Sequence, residues 1–449
     1  MFEKQKSISI VEKIISWLVC FIPLILIFSN SIADIVLVIS SLFFIFISIK
    51  NNNWIWTKEL WVKFGFITYI WLIISSFFAY DPELALSRSL SWVRFIIFAA
   101  SLQFFYLNNK KNLHRLIMIT FIALIYVNIE MFVEQFTGYS LYSRFREYFL
   151  NAPAFLGGPH RISGPFKDAP KSGIFLAYFV LPVAVGIAYK IKSNFSKFYS
   201  EIFTLFFLSV NFYLVYESGH RASILAVFIS FFLLICYSFF KKRNKIFFPL
   251  IITTAILFSI FNSINKSEIK TNLFTKTIEE IKNYPESAYG ALSSTAIKMF
   301  KHKPIFGIGL KNYRVACEKD EFLSEGHLGS GYGVSPWKGH YNVELQKYYQ
   351  STCSGHIHNL YLTWLAETGF LGFILFLTIL FSISKKIFNS KEIISNNFLF
   401  IAILVSIIPK LIPMMPSLNF FSNWNAICFW FLIGWLLSSI TRSKPINSN

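Results

Sequence analysis

The stretch GHIHNLYLTWLAETGFLG, residues 355–372, decides the fold: a polar segment carrying two histidines runs directly into an apolar helix. Placed on a helix starting near His358 at 100° per residue, Gly369 falls about 20° and Gly372 about 40° from the histidine's own direction. That count predicts a groove free of side chains running inward from the imidazole. Glu367 takes the opposite face, about 13 Å deeper, so it cannot orient His358 within this helix, and the histidine's partner comes from another element. A carboxylate at that depth in a spanning segment is costly, which marks Glu367 as part of a functional or structural polar network.

Outward from this segment, apolar runs of membrane-spanning length repeat along the whole chain, which is 55% hydrophobic and 14% charged. They fall at 14–30, 32–49, 62–79, 92–108, 116–135, 172–190, 201–217, 221–240, 246–263, 358–382, 397–413 and 425–440. The expectation is an all-α polytopic membrane protein of about twelve transmembrane helices. The net charge of +19 does not imply nucleic acid. Its cations cluster in alternate connections, such as Lys50, Lys58 and Lys63, then Lys110, Lys111 and Arg115, then Lys241, Lys242, Arg243 and Lys245, and Lys385, Lys386 and Lys391. By the positive-inside rule these face the cytoplasm and both termini lie inside, while the opposite short loops hold little beyond Arg88, Arg221 and Lys410. The first span lacks a small-residue cleavage site and reads as an anchor.

Two connections are long, 136–171 and 264–357, and both fall outside the cytoplasm on this topology. The chain thus divides into an N-terminal transmembrane region, 1–263, a large loop, 264–357, and a C-terminal transmembrane region, 358–449. Within the large loop, 293–303 reads as a short amphipathic helix with Ala296, Met299 and Phe300 on one side, suited to lie on a membrane surface. Cys20, Cys236 and Cys428 sit inside spans as small core residues. Cys317 and Cys353 share the external loop, where an oxidising compartment permits a disulfide worth about 3–4 kcal/mol in loop entropy. No CxxC or HExxH spacing supports a metal site, so no metal and no cofactor is expected.

His356 and His358 stand two apart, so on an extended approach both rings point the same way, one as base and the other as support. The alternative is an interfacial pair making loop hydrogen bonds. Arg221, in YESGHRASIL, either snorkels or receives an anion; its guanidinium fork suits phosphate oxygens. GGPHRISGPFKDAPKSG, with Arg161, Lys167 and Lys171, reads either as a rigid cationic loop offering backbone N–H groups to an anion or as a solvated turn. KPIFGIGLKNYR, 303–314, with Lys311 and Arg314 behind its glycines, is too short a match for a nucleotide loop and reads as a turn docking the external loop onto the membrane domain.

These residues carry a resemblance to the O-antigen ligase and O-antigen polymerase superfamily of bacterial inner-membrane glycan transferases. His358 and Asn359, nine further residues, then Gly369 and Gly372 match H-[NSQ]-x9-G-x-x-[GTY] at every fixed position; PIFGIG, 304–309, is similar to the family's Pro-x-x-Gly-x-Gly segment; HRAS, 220–223, is similar to its Ser-Arg turn. The ligase-related region covers approximately 205–380. The resemblance implies a GT-C-like fold with a large periplasmic loop between helices 9 and 10. It also implies metal-independent, inverting transfer from an undecaprenyl-diphosphate-linked glycan to a hydroxyl of lipid A core or another glycan acceptor. On that reading His358 takes the acceptor proton and Arg221 holds the diphosphate, with His356, Asn359, Glu367, Gly369 and Gly372 in support. Many relatives carry an arginine about fifteen residues before the Pro-x-x-Gly-x-Gly proline, where this chain reads AYGALSS. A second diphosphate contact therefore falls to Lys298, Lys311, Arg314 or Arg161. A polymerase using the same donor is the nearest alternative; a solute transporter fits less well, since no paired halves with broken helices are evident.

Overall fold

A computed structural model describes residues 10–150, 162–166, 170–240, 277–278, 281–317, 319–322, 340–342, 347–349, 355–394 and 397–443. Fifteen α-helices are named here. They are α1 (Ile10–Phe28), α2 (Asn30–Lys50), α3 (Leu60–Ser76), α4 (Pro82–Ser101), α5 (Lys110–Thr137), α6 (Leu141–Leu150), α7 (Pro170–Asn194) and α8 (Lys197–Glu217). Then come α9 (Arg221–Phe240), α10 (Ala288–His302), α11 (Tyr313–Ala316), α12 (Leu360–Asn389), α13 (Lys391–Ile394), α14 (Phe398–Ile407) and α15 (Asn423–Ser443). Among the described residues, nine helices are long and apolar enough to cross a membrane, and Leu60–Ser76 and Phe398–Leu411 are shorter apolar helices. The run expected at 246–263 lies outside the described residues. One two-stranded antiparallel ladder, His340–Asn342 with Lys347–Tyr349, interrupts the helical architecture.

Helix starts follow ordinary capping chemistry. Ser29 caps α2 through Ile32 N–H, and Asp81 caps α4 by accepting from Leu84 N–H at 2.9 Å, with Pro82 in the first turn. The Asp-Pro start corrects the expected span 92–108, because the helix begins ten residues earlier and carries Arg88 on its surface rather than in a loop. Arg94 is kept inside the bundle by Asp34 at 2.8 Å and Asn423 at 3.2 Å. The helices pack through small hydroxylic residues that return their O–H to their own helix or to a neighbour: Ser41 to Leu37 O, Ser230 to Val405 O, and Ser76 with Ser89 across α3 and α4. α15 is buried along almost its whole length at the centre, its Trp430 meeting Trp92 edge-on, and Trp92 in turn meets Trp364 of α12. Exposed Ile32, Ile39, Leu42, Phe46 and Phe228 form the outward apolar face that a bilayer requires.

A second, smaller core lies outside this bundle: Leu292, Ala296 and Met299 of α10, with Ile308, Tyr313, Ala316, Cys317, Phe322, Ile357 and Ala366. The amphipathic segment expected to lie on a membrane surface instead turns Ala296 and Met299 into this core, and α10 packs along α12. Cys317 is fully buried there and disulfide-bonded; Cys353, its expected partner, lies outside the described residues. Cys20 and Cys428 are buried free thiols.

Candidate functional site

The small core is joined to the bundle at a break in α12. Gly369 has φ 71° and ψ −178°, so the helical hydrogen bonds spanning it are not made. Segment 304–309 replaces them: Phe370 N–H donates to Pro304 O at 2.8 Å, Ile308 N–H to Ala366 O at 2.9 Å, and Gly309 N–H to Glu367 O at 3.0 Å. Trp71 Nε1–H of α3 covers Thr368 O at 3.0 Å, and Phe306 stacks on Trp71 and Phe78. The two backbones touch. A Cβ on Gly369 would collide with Ile305 O, and one on Gly307, itself at φ 71°, would stand 2.5 Å from Gly369 N. The glycines expected to line a groove beneath His358 are therefore occupied otherwise: Gly369 by this backbone, Gly372 by Thr368 and Trp71.

The helical count from His358 fails for a second reason, since α12 begins only at Leu360. Asn359 is its N-cap, accepting from Tyr361 N–H and Leu362 N–H at 3.0 Å each and donating to Pro413 O at 2.7 Å. His358 lies before the helix in a left-handed conformation, φ 60°, which costs a β-carbon-bearing residue about 1–3 kcal/mol. Its carbonyl accepts from Ser417 N–H at 2.8 Å, and Asn359 forms a bridge with Pro416, so the 413–417 segment straps the histidine in place.

The His356 and His358 rings lie 3.8 Å apart, centroid to centroid, with the Tyr289 ring edge-on to His358 at 5.8 Å. Tyr289 stands fifteen residues before Pro304, in the AYGALSS stretch. Burial pushes the His358 imidazole down to about 4 against a backbone hydrogen bond at Ser417. Burial, then the neighbouring His358 and Lys311, push His356 down to about 3. Both rings are thus neutral at physiological pH and have acceptor capacity.

Glu367 is 1% exposed and accepts from Lys311 N–H at 2.8 Å, closing the turn behind Gly309, where Lys311 itself has φ 63°. Burial pulls the Lys311 amine below its usual range, the Glu367 carboxylate opposes that, and the Arg88 and Arg314 charges add to it. Lys311, Arg314 and Arg88 therefore gather on the His356 side of the site. Arg88 was missed from the sequence because its loop assignment hid a helical position.

Arg221 opens α9. His220 before it caps the helix, its Nδ1 accepting from Ser223 N–H at 3.2 Å, which leaves the proton of the neutral ring on Nε2. His220 and Ala222 line a small cavity, with room for a water or two, together with Leu360, Ser417 and Lys410, so the turn before α9 and the start of α12 border the same space. Arg161 and Lys167 lie outside the described residues, but Ser163 N–H and Gly164 N–H of the same loop donate to the carboxylate of Glu134, at 3.0 and 2.5 Å. Those N–H groups serve an internal anion rather than an incoming one. Among the described residues no group of three or more His, Cys, Asp or Glu side chains is arranged to hold a metal.

A multi-span helical membrane protein whose neutral histidine pair and cations gather where a second, smaller core meets a broken helix is the class these observations define. Residues 203–377 match a family model described as O-antigen ligase. No curated protein gave a significant match. The matched stretch holds Arg221, both histidines, Glu367, Gly369 and Gly372.

Proposed function

We propose that this protein is an O-antigen ligase-like transferase that moves a glycan from undecaprenyl diphosphate to a hydroxyl of lipid A core at the periplasmic face, with both termini cytoplasmic. The observation that carries this reading is the neutral His358 ring, strapped by Ser417 and Asn359 at the mouth of the broken helix in the matched stretch. His358 accepts the acceptor's hydroxyl proton as the oxygen attacks the anomeric carbon. The bond from that carbon to the diphosphate oxygen breaks, undecaprenyl diphosphate departs, and the anomeric configuration inverts. Positioned general-base help of this kind is worth about 10²–10⁴-fold.

A base depressed to about 4 is weak in the resting protein. A diphosphate beside the pair adds negative charge that raises it, so basicity grows as donor binds. Arg221 offers a fork to the diphosphate, with Lys311, Arg314 and Arg161 as further cations. Glu367 acts indirectly: it holds the Lys311 turn.

In a cell dependent on this protein, His358→Ala is expected to abolish surface polysaccharide linked to lipid A core. Normal amounts in the variant would exclude His358 as the base. Loss of long chains alone, with single repeat units still attached to core, would make the protein a polymerase.

A further inference from the structure

Helix α6 presents an apolar stripe that no part of the proposed mechanism uses. At 100° per residue, Leu141, Phe145, Tyr148 and Phe149 fall within an arc of about 100°, and all four are exposed, Tyr148 to 80%. Their rings form one patch: Phe145 and Tyr148 lie 5.0 and 5.2 Å from Phe149, centroid to centroid. Ser143, on the opposite side, is the buried residue of the helix. Glu147 shares that polar side, and Arg144 and Arg146 stand at the two edges of the stripe.

The spans fix the height of α6. α5 ends at Thr137, Gly138 turns the chain at φ 79°, and α6 folds back so that Tyr142 N–H donates to the Glu130 carboxylate at 3.1 Å. Glu130 lies two turns before Thr137, so this bond holds the start of α6 about 10 Å below the tip of α5. The Tyr142 ring meets Phe28 edge-on at 5.4 Å, and Phe28 is the last residue of α1. With nineteen residues, α1 is about 28 Å long, close to the thickness of the hydrocarbon layer, so its end marks a membrane boundary. α6 starts at that boundary. Exposed Ile122, Ile125, Ile129 and Phe136 carry the lipid-facing side of α5 up to it.

An amphipathic helix at this level, with its stripe turned away from the protein, is placed to meet lipid. Aromatic rings suit the headgroup level, and the guanidinium groups at the edges suit lipid phosphates. Arg144 reaches Glu147 through Nη1 at 3.0 Å and covers the Tyr139 ring, yet its side chain stays 55% exposed. We infer that α6 lies in the bilayer interface, with Phe145, Tyr148 and Phe149 among the acyl chains and Arg144 and Arg146 at the phosphates of anionic phospholipid. Ser163 N–H and Gly164 N–H bond Glu134, one turn from Glu130, so the returning part of the same connection is held beside this anchor. The inference is independent of the proposed transferase function.

The test places p-benzoylphenylalanine in turn at Tyr148, Phe145 and Glu147 of the full-length protein, in phosphatidylcholine nanodiscs containing a minority of phosphatidylglycerol. All three positions are exposed, so the substitutions leave the packing intact. After irradiation, mass spectrometry is expected to find phospholipid adducts at positions 148 and 145, and loss of most of that adduct at 147. Phosphatidylglycerol is expected in the adducts above its share of the lipid. Arg144→Gln combined with Arg146→Gln should return it to that share while the adducts persist. Equal lipid adduct at 147 and 148 would overturn the inference. So would cross-links from position 148 to a second copy or to another segment of the same chain in place of lipid. An undiminished phosphatidylglycerol excess in the double variant would contradict the role given to the arginines. Glycan transfer is not the readout, so the result stands whether or not His358 is the base.

Discussion

His358 combines a strained backbone with a ring that burial keeps neutral, and the second property has a consequence for stability. Both histidines titrate lower in the folded protein than the ordinary 6.5, so above that pH neither contributes a difference. As pH falls from 6.5 toward about 4, the unfolded chain takes up protons that the folded one refuses, and stability is lost. His356→Gln is therefore expected to flatten the fall in melting temperature between pH 6.5 and 4.5; an identical slope in the variant would show that His356 is not held neutral. For Arg221, loss of transfer in Arg221→Lys nearly as deep as in Arg221→Ala is the expected kinetic result, because a point charge does not reproduce the two-pronged contact. Full activity in the lysine variant would contradict that geometry. At this scale the sequence was informative: the spacing of His358, Asn359, Gly369 and Gly372 is written in the chain. Tyr289 and Ser417 were not legible as neighbours of His358, since only the packing of α10 and the 413–417 strap on α12 brings them there.

Among the elements, α12 departs most from expectation. A regular 100° count assumes an unbroken helix, whereas the break at Gly369 is created by another segment that replaces the lost hydrogen bonds. Hydrophobic patterning is blind to such a break, because Trp364 and Phe376 keep their apolar contacts on both sides of it. The close approach of Gly307 and Gly369 explains why glycines stand in both stretches. Gly369→Ala is expected to cost more than about 2 kcal/mol, since the Cβ meets both an unfavourable φ and the Ile305 carbonyl. A thermal melt would register it, and an unchanged melting temperature would mean that segment 304–309 does not sit in the break.

On the scale of the whole molecule, hydropathy located the apolar runs well, and its main error was the start of α4, where a capping signal in a polar stretch outweighed the apolar pattern. The small core around Met299 and Cys317 was not legible, because its residues come from separate polar stretches with no common period. That core packs against the break in α12 through the 304–309 segment and the Lys311 turn, while Ser417, from the strap between α14 and α15, holds the His358 carbonyl. The decisive measurement is single-turnover glycan transfer from undecaprenyl diphosphate to lipid A core by the purified protein, comparing wild type with His358→Ala at saturating donor. A rate at least about 100-fold lower in the variant, with donor affinity preserved, is the expected result. A variant that transfers at the wild-type rate would contradict it.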